Sequence, residues 1–270
     1  MGELRTALVT GASSGIGEAF CRELAARGHH LVVVARRAAP LDTLAGELRS
    51  RHGVQVETIA ADLTSPEGLR AVELRLSDPG RPVDLLVNSA GLVGRIGPLP
   101  HQEEGAHERL IDLNIAATVR LTRAAVTGMV PRRRGGVVNL SSASAFAPAP
   151  GGAAYVASKA FVVSFSQSVH GEVKWLGVSV TALCPGSVAT AGSRSKGGRF
   201  GRVIAPEAVA RQGLAAVAAG RPVHVVGADY RLRAAAARWF PGLVRRGRYQ
   251  TWGRRAADAL AAGDTTPARA

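Results

Sequence analysis

Lysine is nearly missing from this chain: of its 34 basic residues only Lys159, Lys174 and Lys196 are lysines, and the other 31 are arginines. Beside so much Ala, Gly and Val, that bias reads as genome composition more than as selection for phosphate binding. Cysteine is also scarce. Cys21 and Cys184 are too few for a disulfide framework or a thiolate metal cluster, so no metal is expected. Both stand among apolar neighbours and read as buried, inert thiols in a reducing compartment. No stretch approaches the roughly 18 consecutive apolar residues that a spanning helix needs. The first residues enter a strand-like segment without a charged-then-apolar leader, which sets the expectation of a cytoplasmic protein. Acidic residues are few, 20 against 34 basic, leaving a net charge of +14.

That charge is uneven. Residues 194–255 carry 14 basic side chains against Glu207 and Asp229, so +12 of the +14 lies there and the first two thirds is close to neutral. Any electrostatic role therefore belongs to the C-terminal third. The 270 residues, 46% of them hydrophobic, suffice for one large domain with a real core. Short β-branched runs are expected as strands at 4–10, 30–35, 54–60, 83–88, 136–141, 178–183 and 223–226. Amphipathic runs between them predict helices at 15–27, 41–51, 66–76, 107–129, 154–176 and 206–219. Strictly alternating strands and helices imply an α/β fold, a parallel sheet covered on both faces. The organisation is a single domain over 1–228 followed by an Arg- and aromatic-rich helical extension over 229–270. Residues 192–201 read as a mobile loop.

Two local patterns carry chemistry. Thr10-Gly11-Ala12-Ser13-Ser14-Gly15-Ile16-Gly17 joins the first strand to the first helix. In that setting Gly11 serves the tight turn, Gly15 lets backbone approach a pyrophosphate, and Gly17 allows close helix–strand packing. Later, Tyr155 and Lys159 stand one helical turn apart and so share a face, with Ser142 thirteen residues before the tyrosine. A lysine held near a phenol favours the phenolate and pulls its pKa down from about 10, so that it exchanges a proton near neutral pH.

The spacing Gly-x-x-x-Gly-x-Gly together with Tyr-x-x-x-Lys resembles the short-chain dehydrogenase/reductase family. Further segments match that family in order. Asp62, followed by Leu63, resembles its adenine-contacting aspartate, and Asn88-Ser89-Ala90-Gly91 resembles its Asn-Asn-Ala-Gly, with Ser89 in place of the second Asn. Asn114 matches its catalytic asparagine, Asn139-Leu140-Ser141-Ser142 its catalytic-serine segment, and Pro185-Gly186-Ser187-Val188-Ala189-Thr190 the segment along the nicotinamide. The resemblance spans residues 4–228 and implies a Rossmann-type doubly wound, seven-stranded fold. It also implies hydride exchange between a nicotinamide and a carbonyl or secondary alcohol. Tyr155 would be the proton donor or acceptor. Lys159 would bind the ribose, Ser142 would hydrogen-bond the substrate oxygen, and Asn114 would hold a relay water. Homodimers or homotetramers are usual there. The chain departs from the pattern after its last strand, where Val225-Val226-Gly227-Ala228-Asp229-Tyr230 replaces an Asp-Gly-Gly ending.

The end of the second strand argues for the cofactor. An enzyme selecting NAD(H) places an acid there; here Ala35 is followed by Arg36 and Arg37, whose planar forks suit a 2′-phosphate, with Ser13 and Ser14 as further donors. NADP(H) is therefore expected over NAD(H). Ala145-Phe146-Ala147-Pro148 after the serine suggests one apolar wall of a substrate pocket, with small Ala149, Gly151 and Gly152 leaving room for a bulky ketone. Arg194, Lys196, Arg199 and Arg202 would meet an anionic substrate or simply face solvent. Two other readings stand: epimerase or imine-reductase chemistry on the same scaffold, since fold does not fix function, or an interaction protein. In the latter, Arg231, Arg233, Arg238, Arg245, Arg246, Arg248, Arg254 and Arg255, among Tyr230, Trp239, Phe240, Tyr249 and Trp252, would meet nucleic acid or an anionic membrane surface. The simpler reading packs this basic segment beside the pocket or a second subunit, with no specific nucleic acid and at most weak membrane contact.

Overall fold

Seven short strands make one sheet: β1 (Thr6–Thr10), β2 (His30–Ala35), β3 (Val56–Ala60), β4 (Leu85–Asn88), β5 (Gly135–Leu140), β6 (Val178–Pro185) and β7 (Val223–Val226). Their order is β3-β2-β1-β4-β5-β6-β7 and every neighbouring pair is parallel. The computed structural model describes residues 5–94, 97–102, 104–189, 203–249 and 253–261. Because helices cover both faces, the strands read as nearly unbroken apolar runs rather than alternating ones. In β1, Ala7 and Val9 enter one core with Phe20, Val33 and Leu183, whereas Leu8 enters the other with Val32, Leu86 and Val137.

The helices are α1 (Gly15–Ala26), α2 (Ala38–His52), α3 (Pro66–Leu76), α4 (Ala106–Ile111), α5 (Thr118–Met129), α6 (Ala153–Val173), α7 (Pro206–Ala218), α8 (Ala228–Trp239), α9 (Pro241–Arg248) and α10 (Arg254–Ala261). Phe20 of α1 is fully buried, a burial that contributes about 1.5–3 kcal/mol. Gly213 of α7 makes room for it: a Cβ there would lie 2.6 Å from Leu183 and 2.7 Å from the Phe20 ring. α3 starts cleanly because the Ser65 hydroxyl accepts from the Gly68 N–H at 3.0 Å, closing one of the helix's open donors.

The helix expected as one piece over 107–129 is instead interrupted. Between α4 and α5 lies a π turn, Asp112–Ala117, which carries Asn114. Such single wide turns re-aim a side chain inside a helix and concentrate at functional sites. Helical periodicity does not reveal them, because the apolar spacing on either side is unchanged. The 154–176 helix ends at Val173 and tightens into a 3₁₀ turn, Lys174–Leu176.

Chain order explains where a ligand crevice forms. The first half winds outward from β1 to β3, then the chain returns to place β4 on the other side of β1. Loops leaving β1 and β4 therefore part in opposite directions, and open sheets bind ligands at that switch point, outside the carboxyl ends of the strands. The described part of the C-terminal extension is helical, and α8 packs on β7 and on the 3₁₀ turn Ala143–Phe146 that follows Ser142. Among the described residues no helix is long and apolar enough to cross a membrane.

Candidate active site

A cleft of about 800 Å³ opens at the carboxyl ends of β1, β2, β4, β5 and β6. Its floor at one end is the glycine turn. Gly11 adopts φ +65° and Gly15 φ +58°, left-handed conformations that disfavour a side chain. A Cβ on Gly11 would sit 2.9 Å from the Ala90 nitrogen, and one on Gly17 would overlap the Gly11 carbonyl. Gly17 does not line the cleft; it holds α1 against the turn. Gly11, Ser13, Ser14, Gly15 and Ile16 do line it. The Ser14 hydroxyl makes no capping bond to α1, so helix N–H groups face the crevice, an arrangement that favours anions.

At the outer end, Arg36 and Arg37 face Asp62, Leu63 and Thr64 across the same cleft. The Asp62 carboxylate accepts from the Thr64 N–H at 2.9 Å and its hydroxyl at 2.8 Å. Those two bonds, helped by the Arg36 charge, hold its pKa below the ordinary carboxylate value.

At the inner end the side chains of β5 and α6 converge. Tyr155, Lys159, Ser141 and Ser142 all line the cleft, with Pro185, Gly186, Ser187 and Val188 opposite. Lys159 is buried, and its ammonium donates to the Leu140 carbonyl at 2.9 Å and stands 5.9 Å from the centre of the Tyr155 ring. Burial lowers its pKa to about 8. The expectation that this lysine depresses the tyrosine is not met. Burial pushes Tyr155 up instead, and the Ser142 hydroxyl pulls it partly back. Desolvation outweighs the Ser142 bond, and the Lys159 ammonium is engaged by the Leu140 carbonyl. Ser142 is anchored as the N-cap of its 3₁₀ turn, its oxygen accepting from the Ser144 N–H at 3.1 Å and hydroxyl at 2.9 Å.

The Lys159 shift has a thermodynamic consequence. A buried amine with a lowered pKa costs the folded state stability wherever the unfolded chain keeps its proton. That cost is full below about pH 8 and fades as pH rises towards the ordinary 10.5. Relative to Lys159→Met, the wild type should gain stability between pH 8 and 10, whatever constant offset the lost Leu140 bond introduces. Urea midpoints of both proteins across that range check it; a flat difference would remove the buried charge.

Two expected site residues lie elsewhere. Asn88 is buried and does not line the cleft. Its amide donates to Asn139 at 2.9 Å and Thr122 at 3.2 Å, and Asn139 donates on to Ser166 at 3.0 Å, a polar tie between β4, β5 and the helices over them. Its neighbours Ser89, Ala90 and Gly91 take the cleft position. Asn114, also buried, braces the wall from behind. It accepts from the Leu92 N–H at 2.8 Å, donates to the Leu92 carbonyl at 2.8 Å and donates to the Ser158 hydroxyl at 3.0 Å. The expected water-holding amide is thus committed to protein partners. Gly91 leaves the gap in which Asn114 and Lys159 meet, since a Cβ there would lie 3.2 Å from one and 3.4 Å from the other. Thr190, the four basic residues of the following loop and Trp252 lie outside the described residues.

The expected apolar wall is also displaced. Ala145–Pro150 line a separate groove of about 490 Å³ with Val156, Ala157, Ala160 and Tyr249, on a face of α6 turned away from Tyr155. Residues 153, 156, 157 and 160 share one helical face, nearly opposite to 155 and 159. Cleft residues that sequence reasoning missed include Leu92, Val93, Arg109 and Leu113. Thr10 was missed as well. Its hydroxyl accepts from the Ser89 and Ala90 N–H groups at 3.1 Å each. A threonine closing β1 one residue before the glycine turn was the available signal for it.

A description of the short chain dehydrogenase family matches residues 5–198, which include the glycine turn, the cleft walls and the Tyr155–Lys159 pair. The chain belongs to the short-chain dehydrogenase/reductase family. This short-chain dehydrogenase/reductase is similar to a short-chain dehydrogenase from Sphingobium yanoikuyae solved in complex with NADPH, with TM-score 0.78 and 34% identity, covering 99% of this chain and 98% of that one. It is also similar to the bulky-bulky ketone specific alcohol dehydrogenase from Comamonas testosteroni, with TM-score 0.76, 33% identity and coverage of 87% and 92%. The very-long-chain 3-oxoacyl-CoA reductase of Anas platyrhynchos is 35% identical over 188 residues, 68% of this chain and 60% of that protein. The chain spans about three fifths of the length of the curated relatives it matches. The family binds a nicotinamide dinucleotide, and the residues present fit one. Backbone fills the space where side chains at Gly11 and Gly17 would stand, Gly15 and Ile16 at the start of α1 line the cleft, and two arginines line its outer end.

Proposed function

We propose that this protein is an NADPH-linked ketone reductase, working through Tyr155, Ser142 and Lys159. The observation that carries the reading is the meeting of those three side chains at the inner end of one cleft whose outer end holds Arg36 and Arg37. A bound reduced nicotinamide supplies the hydride to the carbonyl carbon. Tyr155 gives its phenolic proton to the oxygen as negative charge develops there; its burial keeps that proton in place at neutral pH, which suits reduction. Ser142 donates to the same oxygen and, held by Ser144, does not need to reorient. Lys159 binds the ribose hydroxyls. Asn114 keeps the Leu92 backbone and, through Ser158, the first turn of α6 in register; the Ser158 hydroxyl donates to the Tyr155 carbonyl at 2.7 Å.

Arg36 and Arg37 support the choice of NADPH, and the Sphingobium relative was solved with that cofactor. Arg36→Glu is expected to shift the NADPH to NADH ratio of kcat/KM by about 10²-fold, the worth of one bidentate charged contact exchanged for repulsion. An unchanged ratio in steady-state assays would sink the assignment.

The relatives support the substrate class: a ketone carrying bulky or long apolar groups. A panel of aryl ketones and 3-oxoacyl thioesters, read by NADPH absorbance, tests this. Stereoisomer interconversion without net absorbance change would replace reductase by epimerase.

A further inference from the structure

The extension beyond β7 does not begin as a detached tail. Tyr230, on the first turn of α8, is buried, 8% exposed, in a segment otherwise rich in exposed arginine. Its ring rests on the backbone of Gly186, where a Cβ would overlap the ring carbons. Its phenolic oxygen accepts from the Ser187 N–H at 3.1 Å. The guanidinium of Arg233 lies 6.0 Å from the ring centre. Gly227, at φ +96°, lets the chain turn from β7 into α8, and a Cβ there would lie 3.1 Å from the same ring and 3.3 Å from Ile204.

Gly186 and Ser187 line the same cleft as Tyr155. The far side of that segment is tied too: Ile204 donates to the Ser187 carbonyl at 2.8 Å and the Ala189 N–H donates to the Ile204 carbonyl at 3.0 Å. Along this short segment the Ser187 N–H is therefore satisfied by a side chain from another element, 43 residues on. α8 also packs on the 3₁₀ turn that begins at Ser142. One helix of the extension thus contacts both walls between which the nicotinamide and substrate would meet.

We propose that Tyr230 is a positioning residue, which by packing on Gly186 and accepting from Ser187 sets the wall against which the nicotinamide is held. The proposal rests on the cofactor reading above. It explains why the chain dispenses with a short ending after β7: α8 supplies the support for that wall from outside the sheet. It also assigns a reason for glycine at 186, which is room for the ring rather than backbone conformation, since Gly186 is absent from the positive-φ glycines.

Tyr230→Phe keeps the ring and removes the acceptor. Its Ser187 amide should exchange hydrogen at least about tenfold faster than in wild type, because a part-buried donor has lost its partner. NADPH should bind about five- to tenfold more weakly, with the melting temperature little changed. Gly186→Ala should bind NADPH far more weakly, and Gly186→Ala/Tyr230→Leu should recover at least about tenfold of that affinity, since contacting residues are not additive. Additive losses, or wild-type exchange and affinity in Tyr230→Phe, overturn the proposal. Wild-type protein that fails to bind NADPH overturns the cofactor reading and with it the positioning role, while the Ser187 exchange rate separately decides whether the tether exists.

Discussion

Tyr155→Phe is expected to lower kcat by about 10²–10⁴-fold, the usual contribution of a positioned general acid, while NADPH affinity stays within about twofold. The substitution removes one oxygen and leaves the ring, which is half-buried and lines the cleft. Lys159 keeps its bond to the Leu140 carbonyl and Ser142 keeps those from Ser144; only the contact between Ser142 and the phenol is lost. The two measurements separate chemistry from binding: single-turnover rates report the proton, fluorescence titration reports the cofactor. A variant that turns over ketone at the wild-type rate would assign the proton to another group and end the mechanism proposed here.

Gly17→Ala is expected to abolish detectable NADPH binding, a loss above about 10²-fold, and to lower the melting temperature. The added methyl would occupy the position of the Gly11 carbonyl. Backbone cannot swing aside as a long side chain can, so either α1 lifts from the turn or the turn opens; overpacking of this kind costs about 1–3 kcal/mol or more. Gly28→Ala is the matching control for the loss of a glycine. It has φ +82° but nothing within 4 Å of its Cβ position, so strain alone should reduce stability and leave cofactor affinity intact. Equal cofactor affinity in Gly17→Ala and wild type, by isothermal titration, would refute the close-packing account of this turn.

Much of the cleft was readable before any coordinates. The glycine spacing, the absence of acid after β2 and the Tyr155–Lys159 pair each depend on neighbours within a few residues, where backbone geometry dictates what meets what. The strands were readable for the same reason: β2 is expected and found at 30–35, and β7 at 223–226. Failures came where burial chooses between orientations. Asn88 sits next to three cleft residues, yet the pleat turns it into the core, where a side-chain amide finds Asn139 and Thr122. Asn114 was expected to hold a relay water; it lies in a π turn that helical periodicity does not reveal, and its side chain bonds Leu92.

By itself the sequence determined the family, the parallel α/β architecture and the set of side chains that line most of the cleft. All three follow from period, turn chemistry and spacing, which are local. The fold alone decided that Tyr155 is raised rather than lowered, that the Ala145–Pro150 wall belongs to another groove, and that Tyr230 supports Gly186. Each of those depends on desolvation or on contact between residues far apart in the chain. Only the packed molecule brings such residues together, and only there does the loss of water outweigh a nearby charge.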